Sequence, residues 1–176
     1  MATFDRVITN RYFSEKNKKP LEVCSACGIK LTAEDDYLIA KAYHRGETIF
    51  ETVQCMPCQM DCRAYTSEQS IENLMLYSGR RFNEFIEDPI KRKVYHLQEP
   101  TCLITGEELD ANASFELYSF HFPEANLGED NFLFIGPTAI DQMGELLSEE
   151  TRKSWEKYLE SISPKTPDRI LSPLFF

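Results

Sequence analysis

CSACGIKLTAEDDYLIAKAYHRGETIFETVQCMPC occupies residues 24–58. It opens on Cys24-Ser-Ala-Cys27-Gly28 and closes on Cys55-Met-Pro-Cys58, which places four thiols in the pattern C-x2-C-x27-C-x2-C. Two thiolates three positions apart reach one ion when the chain turns tightly between them, and a Gly after the second permits positive φ. Between the pairs, 37–43 and 48–53 are rich in β-branched, aromatic and apolar residues. They read as two strands joined by a turn at His44-Arg45-Gly46-Glu47. Pro57 suits the first turn of a helix. Four reduced core cysteines are a weaker account, because packing gives free Cys no reason for such regularity. A tetrahedron of thiolates accepts zinc or iron. The expectation is one structural Zn²⁺ on Cys24, Cys27, Cys55 and Cys58, with an iron-binding or redox protein kept as an alternative.

The order of these parts resembles the treble-clef group of zinc domains: a knuckle, a β-hairpin, then two ligands at the start of a helix. The resemblance covers about 21–78. It implies a metal and a local fold, but no particular role, since such domains serve DNA binding, protein binding and catalysis alike. Cys62, one helical turn after Cys58, is a spare thiol within reach, and His44 in the hairpin turn is a second possible neighbour of the ion.

Downstream the pattern turns helical. Thr66 and Gln69 have capping-box spacing, Ile71, Leu74, Met75 and Ser78 follow helical periodicity, and Gly79 is placed to end that helix. Phe82, Phe85 and Ile86 mark a shorter helical piece stopped by Pro89. The same phrase then recurs. Shifted by 78 positions, Cys24 falls on Cys102, Gly28 on Gly106, Leu31 on Leu109 and Tyr37 on Phe115, while Cys27 falls on Thr105. Strands are expected at 115–122 and 131–135, with a loop containing Pro123 and Gly128 between them. Gly136-Pro137 then stands in the place of Met56-Pro57, and a helix from Glu149 carries Trp155, Tyr158, Leu159 and Ile162, ended by Pro164 and Pro167. The expected fold is α+β, with two small treble-clef-like modules, the second a degenerate repeat without metal ligands. The expected organisation is an N-terminal extension (1–20), a zinc-binding module with all four paired cysteines (21–89), a connector (90–100), an acidic metal-free repeat (101–164) and a tail (165–176).

The net charge of −10 is unevenly spread: 94–150 holds twelve acids and no Lys or Arg. Such a block repels phosphate backbones and suits a basic protein partner. The basic clusters at Lys16, Lys18 and Lys19, at Arg80 and Arg81, and at Lys91, Arg92 and Lys93 support the other possibility, a nucleic-acid-binding regulator. Cys102, His96 and His121 belong to no recognisable catalytic constellation, and H-E-x-x-H, P-loop, G-x-S-x-G and G-x-G-x-x-G motifs are absent from the sequence. The tail 172–176 is apolar. No apolar run spans a bilayer and the first twenty residues lack a signal-peptide core, so a cytoplasmic protein without a membrane partner is expected. Together these readings point to a zinc-stabilised, non-enzymatic protein-interaction or adaptor protein.

Overall fold

A computed structural model describes residues 3–125 and 131–162, except for the side chains of Cys62, Ala125, Ser161 and Ile162. Gly128, Pro164, Pro167 and the tail 172–176 lie outside the described residues. The architecture is mixed α+β around one four-stranded antiparallel sheet. Strand β1 (Tyr37–His44) and strand β2 (Glu47–Cys55) form the expected hairpin, turning at Arg45 and Gly46. Strands β3 (Phe115–His121) and β4 (Phe132–Ile135) form a second. The two hairpins join through β1 and β3, giving the order β2-β1-β3-β4. In the β1–β3 register Ala40 faces Tyr118, Tyr37 faces His121 and Tyr43 faces Phe115.

Burial follows from strand position. The central strands β1 and β3 are covered on both faces, so their sequences YLIAKAYH and FELYSFH are buried almost end to end. Edge strand β2 is partly exposed over its first half. One face packs Leu38, Ala40, Tyr118, Phe120, Leu133 and Ile135 against helix residues Leu74, Phe85, Ala139 and Met143. These come from α3 (Glu68–Leu74), α4 (Arg80–Glu87) and α6 (Pro137–Glu145). The opposite face holds Tyr43, Phe115, Leu117, Phe132 and Phe134, and α1 (Phe4–Thr9) covers them with Phe4 and Val7. The segment read as an N-terminal extension therefore closes one face of the core.

Three local expectations are corrected. The cap of α3 is Ser67, whose Oγ accepts the Ser70 N–H, while Thr66 Oγ1 accepts the indole N–H of Trp155. Gly79 does not end the helix, because the chain widens into a π-turn (Met75–Gly79) and continues as α4. The connector contains a helix, α5 (Pro89–His96), whose Tyr95 hydroxyl donates to Thr101 O and accepts Phe134 N–H. The remaining α-helices among the described residues are α2 (Met56–Cys62) and α7 (Glu149–Ile162). Among the described residues, no helix is long and apolar enough to cross a membrane.

The starts of α3 and α7 meet in a closed ring of hydroxyls. Ser67, Ser70, Thr151 and Ser148 lie 2.9–3.1 Å from their neighbours around it. The bonds are reciprocal: Ser67 N–H donates to Thr151 Oγ1 and Ser148 N–H to Ser70 Oγ, each at 2.9 Å. Ser70 and Thr151 are fully buried. Thr151→Val keeps the shape but leaves the Ser67 N–H without its acceptor. It is expected to lower stability by about 1–3 kcal/mol, read as a shift in the urea midpoint.

Candidate metal centre

The first knuckle is a tight turn. Gly28 N–H donates to Cys24 O and Cys24 N–H to Ile29 O, both at 2.9 Å, and Gly28 sits at φ +74°. An Ala there would be strained by roughly 1 kcal/mol for its left-handed backbone alone. Ser25 ties the knuckle to β2, its N–H donating to Val53 O at 2.7 Å and its Oγ accepting Val53 N–H at 3.2 Å. The second pair rides on the strand-to-helix junction: Cys55 is both the last residue of β2 and the N-cap of α2, and Cys58 lies in that helix's first turn.

The two pairs, well separated along the chain, come together in space. The four sulfurs all lie within 4.8 Å of one another, and Cys27 Sγ is 3.9 Å from Cys55 Sγ. A tetrahedron with metal–sulfur bonds of about 2.3 Å has sulfur–sulfur edges of about 3.8 Å. The Cys27–Cys55 distance matches that edge, and it is far too long for a disulfide of about 2.05 Å. Cys24, Cys27, Cys55 and Cys58 are indeed unbridged. Cys24 and Cys55 are buried and pack with Leu31, Ile39 and Val53. A metal ion held here would have four protein donors, the number that closes the sphere in structural metal sites.

Protonation bears on the same point. Burial pushes the Cys24 thiol up, but N–H groups of Cys27, Cys55 and Ala26 outweigh it and bring it from 9.0 down to about 7. Burial raises both Cys55 and Cys58; the facing thiols of Cys27, Cys55 and Cys24 raise Cys58 further, while at Cys55 hydrogen bonds from Cys58 work against the rise and the Cys24 thiol adds to it. A bound cation would oppose the upward shifts at Cys55 and Cys58 by favouring their thiolates, which is how metal binding couples to thiol deprotonation.

Of the two expected neighbours of the ion, His44 is placed away from the thiols. His44 ends β1 at the opposite end from Tyr37, the residue paired with Cys55. Seven residue steps of strand separate them, about 23 Å, so His44 is no ligand. Its Nδ1 lies 2.8 Å from Ser114 Oγ. The side chain of Cys62 lies outside the described residues. His121 stacks on Tyr37 with ring centroids 4.5 Å apart and has Nε2 3.0 Å from Ala33 O. Ser25 is the supporting residue that sequence reasoning misses, since nothing in the pattern marks it.

Several cations of the basic clusters have partners within the fold. Arg92 is buried, with Nη1 donating to Phe85 O and Ile86 O, and Arg80 and Lys91 share Glu84. Arg6 and Lys18 share Glu15 in the same way.

Comparison with protein-family models, with curated proteins and with solved structures finds no match.

Proposed function

We propose that the protein is a zinc-stabilised, non-enzymatic interaction or adaptor protein whose Cys24, Cys27, Cys55 and Cys58 hold one structural Zn²⁺ in a treble-clef-like module. The observation that carries the metal is the sulfur quartet, four thiols all within 4.8 Å of one another, the donor number of a closed structural zinc site. Knuckle, hairpin and helix start follow one another in the treble-clef order. The interaction role draws on the surface. Ile90, Val94 and Leu97 are exposed at i, i+4 and i+7 of α5 and just beyond it. Exposed apolar side chains at helical spacing suit a partner's surface better than solvent. The acidic block adds a preference for basic chemistry in that partner.

Elemental analysis of the purified protein, beside a Cys55→Ser/Cys58→Ser variant, tests the metal. One zinc per chain, lost in the variant, is the expected result, and iron would move the redox alternative to the front. Quantitative crosslinking of wild type against Ile90→Asp/Leu97→Asp tests the interaction. A partner set that is unchanged in the variant would remove this surface from the reading. The nucleic-acid alternative predicts binding to DNA or RNA that weakens steeply with salt, which a titration at low and high salt decides.

A further inference from the structure

The two halves correspond bond by bond. Val23 bridges Lys30, and Thr101 bridges Glu108. Gly28 N–H to Cys24 O is matched by Gly106 N–H to Cys102 O, and Leu31 N–H to Glu22 O by Leu109 N–H to Pro100 O. Gly28 and Gly106 sit at φ +74° and +73°. All of these are offset by 78. After the hairpins the offset becomes 81: Ser25 N–H meets Val53 O, and Leu103 N–H meets Phe134 O. Ser67 and Ser70 answer to Ser148 and Thr151 around the hydroxyl ring. In the sheet, Ala40 pairs with Tyr118, the residue 78 positions on, as a two-fold axis between like strands requires.

An offset of 81 revises the correspondence that the sequence suggests. The N-cap of α2 is Cys55 and the N-cap of α6 is Gly136, both extended. Cys58, third in α2, therefore answers to Ala139, third in α6. Thr105 N–H still points at Cys102 Sγ, at 3.5 Å, as Cys27 N–H points at Cys24 Sγ. A Cβ on Gly136 would lie 2.0 Å from Glu107 Oε1 and 2.9 Å from Leu109 Cδ2. Ile29, the counterpart of Glu107, is instead 57% exposed. Glu107 Oε1 is buried with no hydrogen-bond partner among the described residues, so its place there is one of filling space.

From this we infer that residues 102, 105, 136 and 139 are the four positions of a dismantled tetrathiolate metal site, with the Glu107 side chain folded into the space left open at Gly136. The inference rests on the reading of the first site as a metal centre. It says where a second divalent metal ion of the zinc type would bind once the thiols are returned.

The test is a Thr105→Cys/Glu107→Ala/Gly136→Cys/Ala139→Cys variant, loaded with Zn²⁺ or Co²⁺ and assayed for metal per chain and for thiolate–cobalt absorption. One more metal per chain than wild type is expected. A folded variant with the same metal content as wild type overturns the inference. Wild type without metal sinks the reading of the first site, while a variant that then binds one ion still upholds this one. If the variant fails to fold, Gly136→Ala decides. Alone it is expected to lower Tm by roughly 2–4 °C, and in a Glu107→Ala background to lower it by much less. An equal fall in both backgrounds overturns the inference.

Discussion

Removing the proposed metal, by a strong chelator or by Cys55→Ser/Cys58→Ser, is expected to unfold far more than the two knuckles. Structural zinc contributes on the order of 10 kcal/mol to folding in small zinc modules, and a whole domain has only about 5–15 kcal/mol of stability. Cys24 and Cys55 also belong to the core cluster with Leu31, Ile39 and Val53, so loss of the ion would leave a thiolate without its cation among apolar side chains. β1 carries Ile39 and lies at the centre of the sheet, paired with β2 on one side and β3 on the other. Damage at the site therefore reaches the second hairpin. Hydrogen exchange should rise first in 24–31 and 53–58, then along β1 and β3, and thermal unfolding should lose its cooperativity. An unchanged Tm after verified metal removal would rule out a structural role.

Lys41→Met is expected to release the N-terminal segment. Lys41 is fully buried in the middle of β1, and its Nζ donates to Asn10 O at 2.9 Å and Phe13 O at 2.5 Å. Its cross-strand partner Glu51 accepts from Ser14 Oγ at 2.5 Å and from Glu15 N–H at 2.8 Å. The two side chains clasp the chain at 10–15 from one face of the sheet. Met has a similar length, but it donates nothing. Two carbonyls would lose a charged donor, at about 1.5–3 kcal/mol each by the usual worth of such bonds. Losses of this kind are not additive, so a total of about 3 kcal/mol is expected. Limited proteolysis within 3–20 should accelerate while the far-UV spectrum of the sheet persists. Unchanged cleavage would show that α1 is held by its apolar contacts with Phe115 and Phe134 alone.

Some of this is legible in the chain. The four strands fall within a residue or two of their expected bounds, because alternation, β-branching and turn residues act over a few positions. The start of α7 is equally local. The cap of α3 lies one residue beyond its expected place because Thr66 and Ser67 are both competent caps. Ser67 is chosen by its ring partner Ser148, 81 residues away. Gly79 reads as a stop because Gly commonly ends helices, yet here the helix persists by widening, with Leu74 and Phe85 on either side both held in the core.

Local pattern suffices for the knuckles, the hairpins, the spacing of the four thiols and the recurrence of one phrase, since each is written in spacings of two to eight residues or in direct self-comparison. Long-range packing sets the rest. It joins β1 to β3 in a single sheet, turns Arg92 inward, gives the buried Lys41 its carbonyls and folds Glu107 against Gly136. Each of these depends on which distant groups arrive to satisfy a buried donor, fill a gap or cover a strand edge. Those contacts belong to the packed whole, where an unpaired polar group or an empty volume carries a free-energy penalty that no local pattern records.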